Sequence, residues 1–390
     1  MKKLIFPLLA ILFLASCTNE DIVPIEKIDS QNFSTKKVEM STTLLEQLSR
    51  EFDEFRATNE VRKQKAKING KKVECTETVF VPDDYPTIQE AIFAVCENGK
   101  VFVRSGTYYE SPGTETPGIF IKAIGDVTLK GGFGLGADNV KIHGFKIDNA
   151  YSYWGPKVGI ASAPGFNGFD IKHNTIYSTE TNNPYLPFGH IGIYFGYCDN
   201  AIIAHNNISG NMEVGIFIDA VVLELPGSPP QPFRSSINNT ISNNTITGIF
   251  GDLNVLYPGS GIVLRCADNN RVQGNNIDTT NGWGIRLIAD FGQSCDGNIV
   301  KNNSVKNTLY DGIGSYFGGN GTIAHNSNNT IGPNNESNNN GESGIYLDEY
   351  SLNNIVFNNT AKNNSLCDIV NEGTDNTFKN NSSDCAIGID

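Results

Sequence analysis

The sequence is dominated by a repeat whose unit is too short to fold alone. Short apolar runs opened by Gly-Ile recur as GIASA at 159, GIYFG at 192, GIFID at 215, GIVLR at 261, GIRLI at 284, GIGSY at 312 and GIYLD at 344. Between them a second unit recurs: NVKIHGFKI from 139, NAIIAHNNI from 200, NTISNNTI from 239, NRVQGNNI from 270, NIVKNNSV from 298 and NIVFNNTA from 354. The steps from 192 to 215 and from 261 to 284 are both 23 residues. A period of this size is one turn of a β-solenoid, in which successive turns stack as neighbouring parallel strands about 4.8 Å apart. Isoleucine and valine at matching positions then form internal columns, and asparagine at the bends passes side-chain hydrogen bonds from turn to turn. The composition agrees, with 40 glycines, a visible excess of asparagine and only 18% charged residues in 390.

The amino terminus is of another kind. MKKLIFPLLAILFLASC carries two lysines, an apolar stretch from Leu4 to Leu14, and small residues before Cys17. It is too short to span a bilayer and reads as a targeting segment. LASC resembles the bacterial lipobox, which implies cleavage before a lipidated Cys17 and a peripheral membrane anchor. The following TNED resembles the surface-export tag of Bacteroidetes lipoproteins, implying an outer-membrane and cell-surface location. The expected division is 1–17 signal peptide, 18–74 tether and 75–390 β-helix. Within the tether, Leu44, Leu45, Leu48, Phe52 and Phe55 fall at helical spacing and predict a short amphipathic helix, read as a stalk. An extracytoplasmic address permits disulfides. Cys75 with Cys96 and Cys367 with Cys385 would each close a short loop at one end of the domain, although spacing leaves other pairings open.

VPDDYPTIQEAIFAV, from 81, predicts a helix with Ile88, Ala91, Ile92 and Val95 on one face, and GKVFVRSGTYYES, from 99, an alternating strand. This pair resembles the start of right-handed parallel β-helices of the pectin-lyase-like class, including NosD-like proteins. The resemblance implies an all-β, single-stranded right-handed parallel β-helix whose open end is covered by the helix. It leaves function open, because the architecture hosts lyases, hydrolases, epimerases, isomerases and non-catalytic adhesins.

In each Gly-Ile strand the isoleucine and the residue two later face inward, so the residues between face out. One outward column reads Tyr194, Phe217, Val263, Arg286, Gly314, Tyr346; the next reads Gly196, Asp219, Arg265, Ile288, Tyr316, Asp348. Aromatic rings and charges on one face suit a sugar-binding surface. Arg286, Arg265, Asp219 and His190 are the candidate catalytic groups, and Tyr194, Phe217, Tyr316 and Tyr346 the candidate sugar contacts. Arginines there would neutralise a uronate carboxylate and ease removal of the C5 proton. Asp219 and Arg265, one turn apart, read equally as a cross-strand salt bridge, and Arg286 has no acidic partner in its own column. Insertions at 177–190, 220–237 and 248–260 are expected to wall this face into a groove.

The formal charge of −13 argues against nucleic acid as a partner. No acidic cluster commits to a calcium site, so calcium remains open as a cofactor and no metal ligands are assigned. The motifs of polygalacturonase-like hydrolases and of mannuronan epimerases are not found in the strands. Two readings follow: an outer-membrane lipoprotein acting on a uronate-containing polysaccharide as a lyase or epimerase, and a non-catalytic glycan-binding or scaffold β-helix.

Overall fold

The computed structural model describes residues 47–61, 75–180, 190–220, 234–252, 258–319 and 322–389. Cys17, most of the 18–74 segment and the centres of the three insertions lie outside them. The repeat is a right-handed parallel β-helix. A representative turn has three short strands, Arg271–Gln273, Asn276–Thr280 and Ile285–Ala289. The first two belong to a 20-stranded sheet and the third to an 11-stranded sheet. Each strand pairs in parallel with its counterpart one turn away, so Ile193, Ile216, Ile262, Ile285, Ile313, Ile345 and Ile369 stand in one register. All seven are fully buried, and each contributes roughly 1.5–3 kcal/mol by leaving water.

The glycine of each Gly-Ile pair is there because the turns approach closely. A Cβ at Gly261 would lie 2.6 Å from the carbonyl oxygen of Gly284, and one at Gly284 would lie 2.4 Å from that of Gly312. Real side chains do not tolerate such contacts with backbone, so the column stays glycine.

The asparagines have two separate jobs. Asn206, Asn244, Asn275, Asn303, Asn335 and Asn359 are buried and form a ladder through the coil. In each step the backbone N–H and side-chain amide of one asparagine donate to the side-chain carbonyl of the next, as Asn275 does to Asn303 at 2.9 and 3.0 Å. The residue just before each ladder position takes a left-handed backbone conformation: His205, Asn243, Asn302, Asn334 and Asn358 all have φ between 51° and 61°. Asparagine adopts that conformation at less cost than most residues with a Cβ. His173 and His205 occupy the same bend position and are exposed there.

The amino-terminal end of the coil is closed by helix Ile88–Ala94, whose Ile88, Ala91 and Ile92 enter the internal core. Its first turn is capped by Thr87 and by the carboxylate of Glu110, which accepts from the N–H groups of Ile88 and Gln89 at 2.8 and 2.9 Å. Cys75–Cys96 and Cys367–Cys385 form disulfides at the two ends, and Cys198, Cys266 and Cys295 are free and buried. Among the described residues no helix is long and apolar enough to cross a membrane.

The amphipathic helix of the expected tether exists at 47–61, but it is not free of the domain. Leu48 and Phe52 are 0% and 1% exposed, and Phe52 stacks on Trp154 at 4.6 Å between centroids. Glu51 accepts from the Gly155 N–H at 2.6 Å, closing the helix onto a segment 104 residues away. Trp154 in turn lies flat over Gly134, where a Cβ would come within 2.4 Å of the indole. Leu48, Phe52 and Trp154 join Tyr194, Phe217, Val263 and Ile288 in a second apolar cluster on the outside of the 11-stranded sheet.

The ladder makes a discriminating prediction from two asparagines. Asn275→Ala strips acceptors from the Asn244 N–H and amide and a donor from the Ile241 carbonyl, at an expected cost of about 2–4 kcal/mol. Asn302→Gly keeps the left-handed bend and is expected to stay within about 0.5 kcal/mol of the parent. Chemical denaturation of both variants checks this.

Candidate functional site

Of the groups placed in the outward columns, Asp219 and Arg265 meet as expected but do not face solvent. Arg265 Nε donates to Asp219 Oδ1 at 2.9 Å and Nη2 to Oδ2 at 2.6 Å, a two-pronged ion pair. The residues are 2% and 1% exposed. The Tyr194 hydroxyl donates to Asp219 Oδ2 at 3.0 Å, and the guanidinium lies 5.2 Å from the Phe217 ring centroid. Burial, followed by the Asp219 charge, raises the Tyr194 hydroxyl well above its ordinary pKa. Tyr194 and Phe217 are 0% and 3% exposed. Tyr194 and Phe217 belong to the outer apolar cluster and the ion pair lies against them, so the expectation that these four residues face solvent is corrected. An external cluster covers what period two leaves outside.

His190 is also buried, at 3% exposure. Its Nδ1 is hydrogen-bonded to Ser178 Oγ and its Nε2 lies 3.3 Å from Glu180 Oε2. Burial pushes its pKa down against the opposing charge of Glu180. Its charged neighbours are Glu180, Lys157 and Asp148, so it belongs to a different polar group from the arginines. Within the three insertions, residues 181–189, 221–233 and 253–257 lie outside the described residues.

Arg286 is also buried, at 8% exposure, but among aromatic rings. Its guanidinium lies 3.8 Å from the Trp283 ring centroid and 5.0 Å from that of Tyr316. Tyr316 stacks on Tyr346 at 5.5 Å, and Trp283 meets Tyr310 at 4.4 Å. All four rings are partly exposed. The Tyr316 ring reaches this place by folding across Gly314, where a Cβ would fall 2.1 Å from its hydroxyl. The gap in the first column therefore lets a residue of the second column close over Arg286.

Two carboxyl groups complete the cluster. Asp311 Oδ2 accepts from the Tyr316 hydroxyl at 2.6 Å and Oδ1 from the Ser343 N–H at 2.8 Å. Burial pushes Asp311 up, against those bonds and the Arg286 charge. Glu342, one turn on and half-buried, is pushed up to about 7 by burial and by the Asp311 charge. The Tyr346 hydroxyl donates to Glu372 at 2.7 Å. The rank from Trp283 to Glu372 crosses four turns, or about 14 Å at the inter-strand spacing. It joins a flat aromatic surface, a fixed cation and a carboxyl poised between its two protonation states.

Arg286, Tyr316 and Tyr346 were accessible to column arithmetic, whereas Trp283, Tyr310, Asp311 and Glu342 were not. These four occupy the two positions before the Gly-Ile pair, in NGWGIR, LYDGIG and GESGIY. Their backbones align across turns, Tyr310 N–H donating to the Gly282 carbonyl and Glu342 N–H to that of Tyr310. Tabulating those positions as a third column would have shown them. Among the described residues no group of three or more His, Cys, Asp or Glu side chains is placed to hold a metal ion.

No protein-family model matches the sequence, and no curated protein matches it. Among solved structures the chain is similar to a periplasmic alginate epimerase, AlgG, at 15% identity over 78% of this chain and 83% of that one, with a TM-score of 0.46. It is similar to an exopolygalacturonase from Thermotoga maritima at 9% identity, covering 78% and 92%, with a TM-score of 0.45. It is also similar to an alpha-1,3-glucanase from Streptomyces thermodiastaticus at 14% identity, covering 80% and 70%, with a TM-score of 0.46.

The Asp219–Arg265 pair predicts a stability effect. Asp219→Ala removes the two-pronged carboxylate partner of a buried guanidinium and is expected to destabilise by about 3–5 kcal/mol. Denaturant titration measures this, and an unchanged midpoint would contradict the buried pair.

Proposed function

We propose that the protein is a carbohydrate-active β-helix enzyme that removes the C5 proton of a uronate residue in a polysaccharide, as a lyase or an epimerase. It is held at the outer membrane by a lipid on Cys17. The observation that supports this reading is the Arg286 guanidinium fixed between Trp283 and Tyr316 in one cluster with a glutamate pushed up to about 7.

The partly exposed rings offer stacking faces to pyranose C–H patches. Arg286 pairs with the uronate carboxylate, cancelling the charge that otherwise opposes carbanion formation at C5. Glu342, in its ionised form, takes the C5 proton. The electron pair left behind is delocalised into the carboxyl group, where Arg286 stabilises the added charge. In elimination the pair then forms the C4–C5 double bond as the C4–O bond breaks and the departing oxygen gains a proton. In epimerisation C5 instead receives a proton on the opposite face. Asp311, tied to Tyr316 and Ser343, positions the ring that covers the guanidinium.

A second reading, glycosidic-bond hydrolysis, is favoured by the charge coupling of Asp311 and Glu342, since a paired carboxyl held protonated near neutrality serves as a general acid. The product distinguishes the two. Elimination gives an unsaturated, ultraviolet-absorbing end; hydrolysis gives reducing ends without that absorbance.

With polyuronates as substrate, Glu342→Gln is expected to lower turnover by about 10²–10⁴-fold at a parental melting temperature, and Arg286→Ala by about 10²–10³-fold. A base must be deprotonated to act, so parental activity should rise as pH passes upward through about 7. Activity that instead falls across that range supports the general-acid reading. Absence of turnover on both uronate and neutral glycans counts against either enzyme.

A further inference from the structure

The corner of the coil that carries Trp283, Tyr310 and Glu342 connects the 20-stranded sheet to the 11-stranded one, between strands such as Asn276–Thr280 and Ile285–Ala289. The same corner in the first turns has an aromatic concentration of its own. Tyr109, Tyr151 and Tyr153 are 74%, 52% and 56% exposed. With Glu110, Ser111 and Lys130 they line an open cavity of about 390 Å³. Three large rings left in water at one spot are unusual for a surface with no occupant.

The local structure holds this cavity in shape. The Lys130 ammonium sits 4.5 Å from the centroid of the Tyr151 ring and 3.5 Å from the buried Asp148 carboxylate. Ser111 Oγ accepts from the Tyr153 N–H at 2.9 Å, and the Tyr153 hydroxyl donates to Glu54 of helix 47–61 at 3.5 Å. Glu110 is already engaged at the start of helix Ile88–Ala94. The tyrosines are thus presented by anchored backbone, with little ordering left to be done on binding.

We infer that this cavity is a non-catalytic binding site for pyranose units of a polysaccharide, a second contact point for the chain whose reacting residue lies at Arg286 and Glu342. The chemistry favours sugar over a protein partner. The lining alternates aromatic faces with hydroxyl, ammonium and carboxylate groups, as a pyranose alternates C–H patches with hydroxyls, and it lacks the continuous apolar area that a docked helix needs. Position favours a polymer. Between the turn of Ile160 and that of Ile285 there are four inter-turn steps, about 19 Å at the strand spacing, along one corner of one rigid coil. A glycan of several pyranose units is long enough to reach both, whereas a single sugar is not. The identity of the occupant rests on the proposed function; the existence of the site does not.

The test uses the mature full-length chain with polygalacturonate and alginate as polymers and short oligouronides of each. Tyr109→Ala and the double variant Tyr151→Ala/Tyr153→Ala are compared with the parent, with Tyr151→Phe as the conservative control. For the polymer, the double variant is expected to raise KM about tenfold at unchanged kcat, with short oligouronides unaffected and Tyr151→Phe restoring parental values. Polymer affinity measured in the Glu342→Gln background should weaken by the same factor. Tyr109, 74% exposed, supplies a variant that keeps the fold should the double variant lose it. If oligouronides and polymers are turned over alike by all tyrosine variants, the second site is overturned while the catalytic reading stands. If nothing is turned over but the tyrosine variants lose polymer binding, the catalytic reading falls and the site stands. Parental binding of neither polymer overturns the site.

Discussion

Everything in this protein depends on the parallel backbone ladder that stacks one turn on the next. Its spacing brings the glycine of each Gly-Ile pair against the carbonyl of the following one. It sets the isoleucine columns in van der Waals register and lets each ladder asparagine bond to its neighbour with both nitrogens. Because one spacing governs all three, a residue type chosen at one turn is imposed at the next, and the sequence repeats. Charged residues are excluded from the interior by the same rule, since a stacked column of like charges would be both buried and self-repelling.

The outer surface is not bound by that rule, and the protein uses it in two ways. Over the middle turns the outside of the 11-stranded sheet becomes a second core, where helix 47–61, Trp154 and the strand residues enclose the Asp219–Arg265 pair. That pair is held without water competing and ties two successive turns together. One turn beyond Arg265, the rings that surround Arg286 on the same face stay partly exposed. The difference lies in what packs outside the strands, since the strands themselves have the same conformation.

The open part combines groups that rarely gather on a surface without use: a guanidinium pressed against an indole, two stacked tyrosines, and a pair of carboxyls one of which is shifted to about 7. Each needs a neighbour to exist in that form. Tyr316 needs Gly314 to fold over, Asp311 needs the Tyr316 hydroxyl, and Glu342 owes part of its shift to Asp311. The proposed site needs such preorganisation, and a rigid coil is a suitable support because its turns cannot slide without breaking the ladders.

What the sequence determined by itself was the coil: its period, its strands, both outward columns in their observed register and the capping helix; the pairing of the terminal cysteines it left open. These depend on residues one turn apart, whose spacing is visible as a repeat. Tertiary structure alone decided which outward residues meet solvent. Tyr194, Phe217, Asp219 and Arg265 occupy the columns that arithmetic assigned them, yet they are buried in a cluster joined by a helix far back in the chain. Trp283, Asp311 and Glu342 lie outside both columns, and they become a site only when the Tyr316 ring folds across Gly314. Periodicity records contacts between equivalent positions in successive turns. It carries no record of a long-range cover or of a side chain leaning out of its own column, because neither recurs.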